Sequence, residues 1–187
     1  KEAIFKKTTQ LYPNDFRAYN NLGEMAYAAG DAAKAESYFK QAAAKNANAP
    51  EVNANLGLSE LVKNNVAAAE SYLGKATGAN AANEALGNLY IKQGQYQRAV
   101  NAFGDAKTNS AAQAQILAKD YNKAKATLQA IQDKDAMTDY LMAIVGARTN
   151  NESLVKSSIK SAIAKDASLA TKAANDREFA KFASALK

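Results

Sequence analysis

The feature that most limits what this chain can fold into is a frame of small and bulky residues that recurs along it. Gly23 and Gly87 each follow a leucine and stand twelve residues before an alanine, which in turn precedes an aromatic residue by four. The full segments are Tyr19-x2-Leu22-Gly23-x11-Ala35-x3-Phe39-x2-Ala42 and Asn83-x2-Leu86-Gly87-x11-Ala99-x3-Phe103-x2-Ala106. Between them Asn53-x2-Leu56-Gly57-x11-Ala69-x3-Leu73-x2-Ala76 keeps the frame with leucine at the aromatic position. Repetition at about 34 residues reads as a helical solenoid, in which each unit buries its apolar face only against a neighbour. The glycines have a physical reason: a mid-helix glycine costs about 1 kcal/mol relative to alanine, which is tolerable where a side chain would hold two helices apart. Ala35, Ala69 and Ala99 supply the matching small surface on the second helix.

These segments resemble the tetratricopeptide repeat, whose pattern places an aromatic, Leu, Gly and Tyr on a first helix and Ala, an aromatic and Ala on a second. The resemblance implies an all-α fold, a right-handed α-solenoid of antiparallel helix pairs, closed here by a C-terminal capping helix. Leu22 to Leu56 spans one standard repeat, whereas Leu56 to Leu86 is four residues short. The expected site of the shortening is the loop Thr77-Gly78-Ala79.

On this frame the whole chain, 1–187, reads as one domain. Residues 1–14 form the second half of a preceding repeat, with Phe5 at the aromatic position and Pro13 at the closing proline. Clear repeats occupy 16–49, 50–79 and 80–107, and degenerate ones 108–132 and 133–166. In the first degenerate repeat a shortened helix near Ser110 to Ala118 precedes Asp120-Tyr121-x2-Ala124-x3-Leu128-x2-Ile131; in the second, Asn150-Asn151 marks a turn. Residues 167–187 break the register. Asn175-Asp176 reads as an N-cap before Arg177 to Leu186, with Phe179 and Phe182 covering the last repeat and Lys172, Arg177, Lys181 and Lys187 turned to water. The chain opens on Lys1, shows no charged-then-apolar leader, and is expected to be a fragment or processed product of a longer protein.

Composition removes more functions than it suggests. With no cysteine and no histidine, thiolate or imidazole nucleophiles, Ser-His-Asp triads and Cys/His zinc sites cannot be assembled from this chain. Asp133-x-Asp135-x3-Asp139 begins like a calcium loop, but Thr138 replaces the required glycine and Ile144 the final carboxylate. Gly74-Lys75 ends like a phosphate loop, but Ala69 and Ala76 stand where Gly and Ser/Thr belong. No cofactor, metal or catalytic residue is therefore expected, and the chain reads as no enzyme. The net charge of +6 is carried by lysines dispersed among acids, so nucleic acid is not the expected partner. No apolar run approaches the roughly 20 residues of a membrane span.

What the resemblance implies about function is a concave groove lined by the first helix of each pair, holding an extended peptide or a partner's helix. With Leu22, Gly23 and Ala26 facing the paired helix, helical periodicity sets Arg17, Asn20, Glu24 and Tyr27 on another stripe. Further groove candidates are Glu51, Asn55, Leu58, Leu61 and Val62 in the next repeat, and Glu84, Asn88 and Ile91 in the third. Chaperone-binding members of the family clamp a C-terminal carboxylate with Lys and Asn side chains. Of the matching positions here only Asn55 fits, and Glu24 would repel a carboxylate. The expected role is a noncatalytic scaffold for a protein or peptide partner. The alternatives are a structural spacer or self-association module acting through the open N-terminal half-repeat, or a regulatory arm of a larger envelope-associated or enzymatic protein. The Ala/Asn/Lys/Thr-rich surface leans towards a bacterial cell envelope, periplasmic or outer-membrane associated, over the cytoplasm.

Overall fold

The computed structural model describes residues 1–186; Lys187, expected to face water, lies outside them. Among the described residues the regular structure is helical throughout, and the chain divides into two compact units at Leu86 and Gly87.

In the first unit α1 (Glu2–Leu11) precedes two antiparallel pairs, α2 (Phe16–Ala28) with α3 (Ala32–Lys45) and α4 (Pro50–Val62) with α5 (Val66–Lys75), before α6 (Asn80–Lys92) begins. Helix starts follow from local chemistry. The Asp15 carboxylate accepts from the Arg17 amide and Asp31 from the Lys34 amide, both at 3.0 Å, capping donors that have no partner inside the helix. Pro50 is the first residue of α4, where its missing N–H costs nothing. A Cβ added at Gly23 would lie 2.4 Å from the Phe39 ring, and one at Gly57 2.6 Å from Leu73 Cγ. The frame's glycines thus mark where paired helices touch. Ala35, Phe39, Ala42, Val52 and Leu56 form one buried cluster, and Ala54, Leu73, Ala76 and Ala82 another.

The short second repeat is resolved differently from the expectation. Both α3 and α5 are followed by four residues, 46–49 and 76–79, before the next helix starts. The loss falls in the helix: α3 has 14 residues and α5 has 10. The turn lost is the last one, beyond Leu73, so Ala69 and Leu73 keep the register of Ala35 and Phe39.

In the second unit α7 (Tyr96–Phe103) packs Phe103 where a Cβ on Gly87 would stand 2.5 Å from its ring. The pair α8 (Asn109–Leu117) and α9 (Tyr121–Ala130) repeats the contact with Ala112 and Leu128, both fully buried. In α10 (Ala136–Arg148) and α11 (Glu152–Lys165), Gly146 faces the backbone nitrogen of Val155, 3.0 Å from where its Cβ would be. The carboxylates that began like a calcium loop are engaged otherwise: Asp135 closes a capping box with Thr138, and Asp139 meets Lys165 and Ser161 at 2.7 Å each.

A turn common to both units joins the two helices of each pair. It is three residues long, and its middle residue, Gly30, Asn64, Gly94, Lys119 or Asn150, has positive φ. The third residue donates its N–H to a carbonyl five residues back, as Asp31 does to Ala26 and Asp120 to Gln115 at 2.9 Å, which is the Schellman closure of a helix end. Asp31, Asp120 and Asn151 then cap the following helix.

After α12 (Leu169–Asn175) the expected capping helix, Arg177–Leu186, is wound as a 3-10 helix. At three residues per turn Phe179 and Phe182 fall on one face, and both are buried against Tyr140, Val155 and Ile159. Tyr140 meets Phe179 edge-on at 5.5 Å and donates to Asp176 at 2.6 Å; Arg148 grips Glu178 through two hydrogen bonds. Lys172, Arg177 and Lys181 are exposed.

Candidate functional site: an apolar cleft on α2 and α4

The largest group of groove candidates converges within the first unit. Glu24 and Tyr27 from α2, and Asn55, Leu58, Leu61 and Val62 from α4, line a cleft of about 300 Å³ together with Ala28, Phe39 and Ser59. The cleft arises because small residues at Gly23 and Gly57 draw each first helix onto its own partner, leaving the next stripe of α2 and α4 to solvent. Tyr27 is 51% exposed and Val62 68%, so the lining offers bulky apolar surface that the fold itself does not cover.

Three polar side chains fix one wall. Asn20 Nδ2 donates to Glu24 Oε1 at 2.9 Å, and Asn55 Nδ2 donates to Asn20 Oδ1 at 3.0 Å and to the same Glu24 oxygen at 3.2 Å. Asn20 is only 5% exposed. Expected on the open stripe, it sits beneath it, tying α2 to α4. The Ser59 hydroxyl donates to the Asn55 carbonyl at 2.8 Å, one helical turn back.

The cations near the cleft are already engaged. Arg17, exposed in the first turn of α2, is held by Asp15, its Nε 2.9 Å from Oδ1 and its Nη2 2.6 Å from Oδ2. The guanidinium pulls the Asp15 carboxyl down to about 2. Lys63 bridges Glu60 at 2.6 Å and Glu36 at 3.1 Å, contacts that raise its ammonium and hold the Glu60 carboxyl below its ordinary value, while Glu36 is lowered by Lys40 first, at 2.6 Å, and then by Lys63. Asn65 adds a 2.8 Å hydrogen bond to the second oxygen of Glu60.

The other candidates are more scattered. Glu51 is exposed in the first turn of α4 and Glu84 is exposed on α6, both in the first unit. Asn88 and Ile91 are half-buried in the second unit. Sequence reasoning missed Ala28, Phe39 and Ser59 as lining residues. Phe39 carried a signal, since the frame's aromatic reaches across to Gly23, but its packing role hid the edge it turns to the cleft.

Family and structural comparisons agree with this architecture. Models of the tetratricopeptide repeat match residues 2–50, 26–84 and 82–110, together more than half of the chain. No curated protein matches the chain significantly by sequence. Among solved structures it is similar to YrrB, described as a TPR protein with an unusual peptide-binding site, at 17% identity and a TM-score of 0.68, over 87% of this chain and 92% of that one. It is also similar to PilF of Pseudomonas aeruginosa, at 14% identity and a TM-score of 0.69, over 96% and 86% of the two chains. A third likeness is to PilW, a widely conserved type IV pilus biogenesis factor, at 20% identity and a TM-score of 0.60, over 99% and 89%. At these identities the likeness is one of fold. With its stacked helix pairs, its glycine-to-aromatic contacts and these sequence matches, the chain belongs to the tetratricopeptide repeat family.

Proposed function

We propose that this chain is a noncatalytic protein-interaction scaffold that holds an extended peptide or a partner's helix against α2 and α4. The observation that carries this reading is the cleft, where exposed Tyr27 and Val62 flank an apolar lining beside the Asn20, Glu24 and Asn55 wall. An apolar pocket selects a side chain, and fixed polar groups at its edge orient the ligand backbone on either side of it. Repeats of this family generally act as scaffolds without chemistry of their own, and the described peptide-binding site of YrrB is in keeping with a peptide ligand.

The test is a quantitative pull-down from a lysate of the source organism with wild type and a Tyr27→Ala/Val62→Ser variant. Both positions are exposed, so helical content should be unchanged. A partner captured by wild type and lost by the variant supports the reading, and equal capture removes the cleft from it. A second reading, self-association, is favoured by one observation: α1 buries none of its residues, and Ile4 and Leu11, seven apart on one helical face, are 68% and 63% exposed. Mass that rises with concentration and returns to the monomer in Ile4→Ser/Leu11→Ser would support it.

A further inference from the structure

The cleft holds an exposed carboxylate with one oxygen left unengaged among the described residues. Glu24 Oε1 accepts from both Asn20 and Asn55, while among the described residues no hydrogen bond or ion pair reaches its Oε2. Two amides hold the carboxylate in place without compensating its charge, and Glu24 is exposed, so its second oxygen faces solvent where an incoming cation can reach it. The cations that could do so from α2 and α4 are committed elsewhere, Arg17 to Asp15 and Lys63 to Glu36 and Glu60. Glu51, exposed in the first turn of α4 and outside the cleft lining, is a second acid with no ion pair among the described residues.

From this arrangement we infer that the cleft is specific for a basic amphipathic segment. A bulky apolar side chain of the partner enters between Tyr27, Leu58 and Val62, and a neighbouring Arg or Lys pairs with the free oxygen of Glu24. The inference rests on the peptide-binding reading above and adds the sign of the ligand's charge. Acidic segments and free C-terminal carboxylates are disfavoured by the same group, which two asparagines hold at the cleft wall. The Asn20–Glu24–Asn55 wall is then a cation receptor with a preset geometry, so little ordering is needed when the ligand arrives.

A random peptide library displayed on phage, selected on the immobilised full chain, tests both levels. Enriched peptides are synthesised with Arg or Lys as found, and again with citrulline or norleucine, neutral counterparts of similar length, at that position. Affinities are measured by fluorescence anisotropy for wild type, Glu24→Gln and Tyr27→Ala/Val62→Ser, with circular dichroism confirming that each variant is folded. Glutamine keeps an acceptor for the two asparagines and removes only the charge. The expected result is that selected peptides pair a large apolar residue with a nearby cation, bind about tenfold more weakly when that cation is neutralised, and lose this discrimination in Glu24→Gln. Peptides that need Tyr27 and Val62 but bind equally with and without their cation would overturn the charge specificity and leave the cleft as a peptide site. Peptides indifferent to Tyr27 and Val62, or no enrichment at all, would overturn both.

Discussion

Replacing Gly57 by alanine puts the repeat frame to a test in which two familiar effects oppose each other. Alanine in a helix interior is favoured over glycine by about 1 kcal/mol, so on propensity alone the variant gains stability. Its Cβ, however, would stand 2.6 Å from Leu73 Cγ, 2.7 Å from Cδ2 and 3.2 Å from the Leu73 backbone nitrogen. Carbon atoms pack best at about 3.5 to 4.0 Å, so the leucine must yield by about 1 Å. Leu73 is 1% exposed and has no room to do so, and the backbone contact means that α4 and α5 must part as well. Overpacking of this kind costs about 1 to 3 kcal/mol, which outweighs the propensity gain and leaves a net loss of about 1 kcal/mol. Gly74, on α5 with nothing within 4 Å of its would-be Cβ, is the control: Gly74→Ala should stabilise by about 0.5 to 1 kcal/mol. Urea titration followed by circular dichroism should therefore shift the midpoint in opposite directions for the two variants, with parallel shifts of about 2 to 4 °C per kcal/mol in thermal melts. Leu73→Ala alone should cost about 2 to 5 kcal/mol, and the double variant Gly57→Ala/Leu73→Ala less than the sum of the two. If Gly57→Ala were as stabilising as Gly74→Ala, the frame's glycines would not be contact points.

Three further outcomes can be measured on the same footing. Lys119 holds φ 65° in the turn between α8 and α9, where a side chain costs about 1 to 2 kcal/mol; Lys119→Gly should raise stability by about 0.5 to 1 kcal/mol after glycine's own entropy cost, and a loss of stability would refute strain at this turn. The Glu60 carboxyl is held below its ordinary 4.5 by hydrogen bonds from Lys63 and then Asn65, so its contribution is full above about pH 4.5 and fades as pH falls through the lower folded value. Urea midpoints between neutral and acid pH should fall less steeply in Glu60→Gln than in wild type. Tyr140 is shifted the other way, upward, by burial and then by its hydrogen bond to Asp176. The unfolded chain ionises near 10.0 while the folded one resists, so stability is intact below that pH and falls above it, and Tyr140→Phe should abolish this alkaline loss.

The parts of the fold legible in the sequence are those that one helix imposes on its partner at fixed spacing. Gly23, Gly57 and Gly87 signalled their contacts because a missing side chain in a helix needs a reason, and Asn150-Asn151 signalled the turn between α10 and α11, where Asn151 caps the following helix. The missing turn of α5 was harder to place, since the frame runs intact to Ala76 and the four residues lost after it could have come from the loop or from the end of the helix. Lys119 gave no turn signal, because lysine has no preference for positive φ and occupies it only because flanking Ala118 and Asp120 close the same motif as at Gly30. The 3-10 winding of the C-terminal segment was not legible, because Phe179 and Phe182 stand three apart, a spacing that a 3-10 helix and an α-helix both place on one side.

The candidate site was legible in outline and not in depth, for a reason that bears on how such a surface can change. Periodicity put Asn20, Glu24 and Tyr27 on one stripe of α2, but whether a residue on that stripe is covered depends on what α4 brings against it 35 residues later. Asn55 comes close enough to bond Asn20 and Glu24 together, so Asn20 is buried at 5% while Tyr27 stays 51% exposed. Substitution at Asn20 or Asn55 therefore disturbs the seam between two repeats as well as the cleft wall. Substitution at Tyr27 or Val62 touches only surface that the stack leaves open. On the proposed reading Glu24 stands between these cases: one oxygen belongs to the seam and the other to the ligand, so exchanging it for glutamine should alter which partner is held while leaving the helix stack in place.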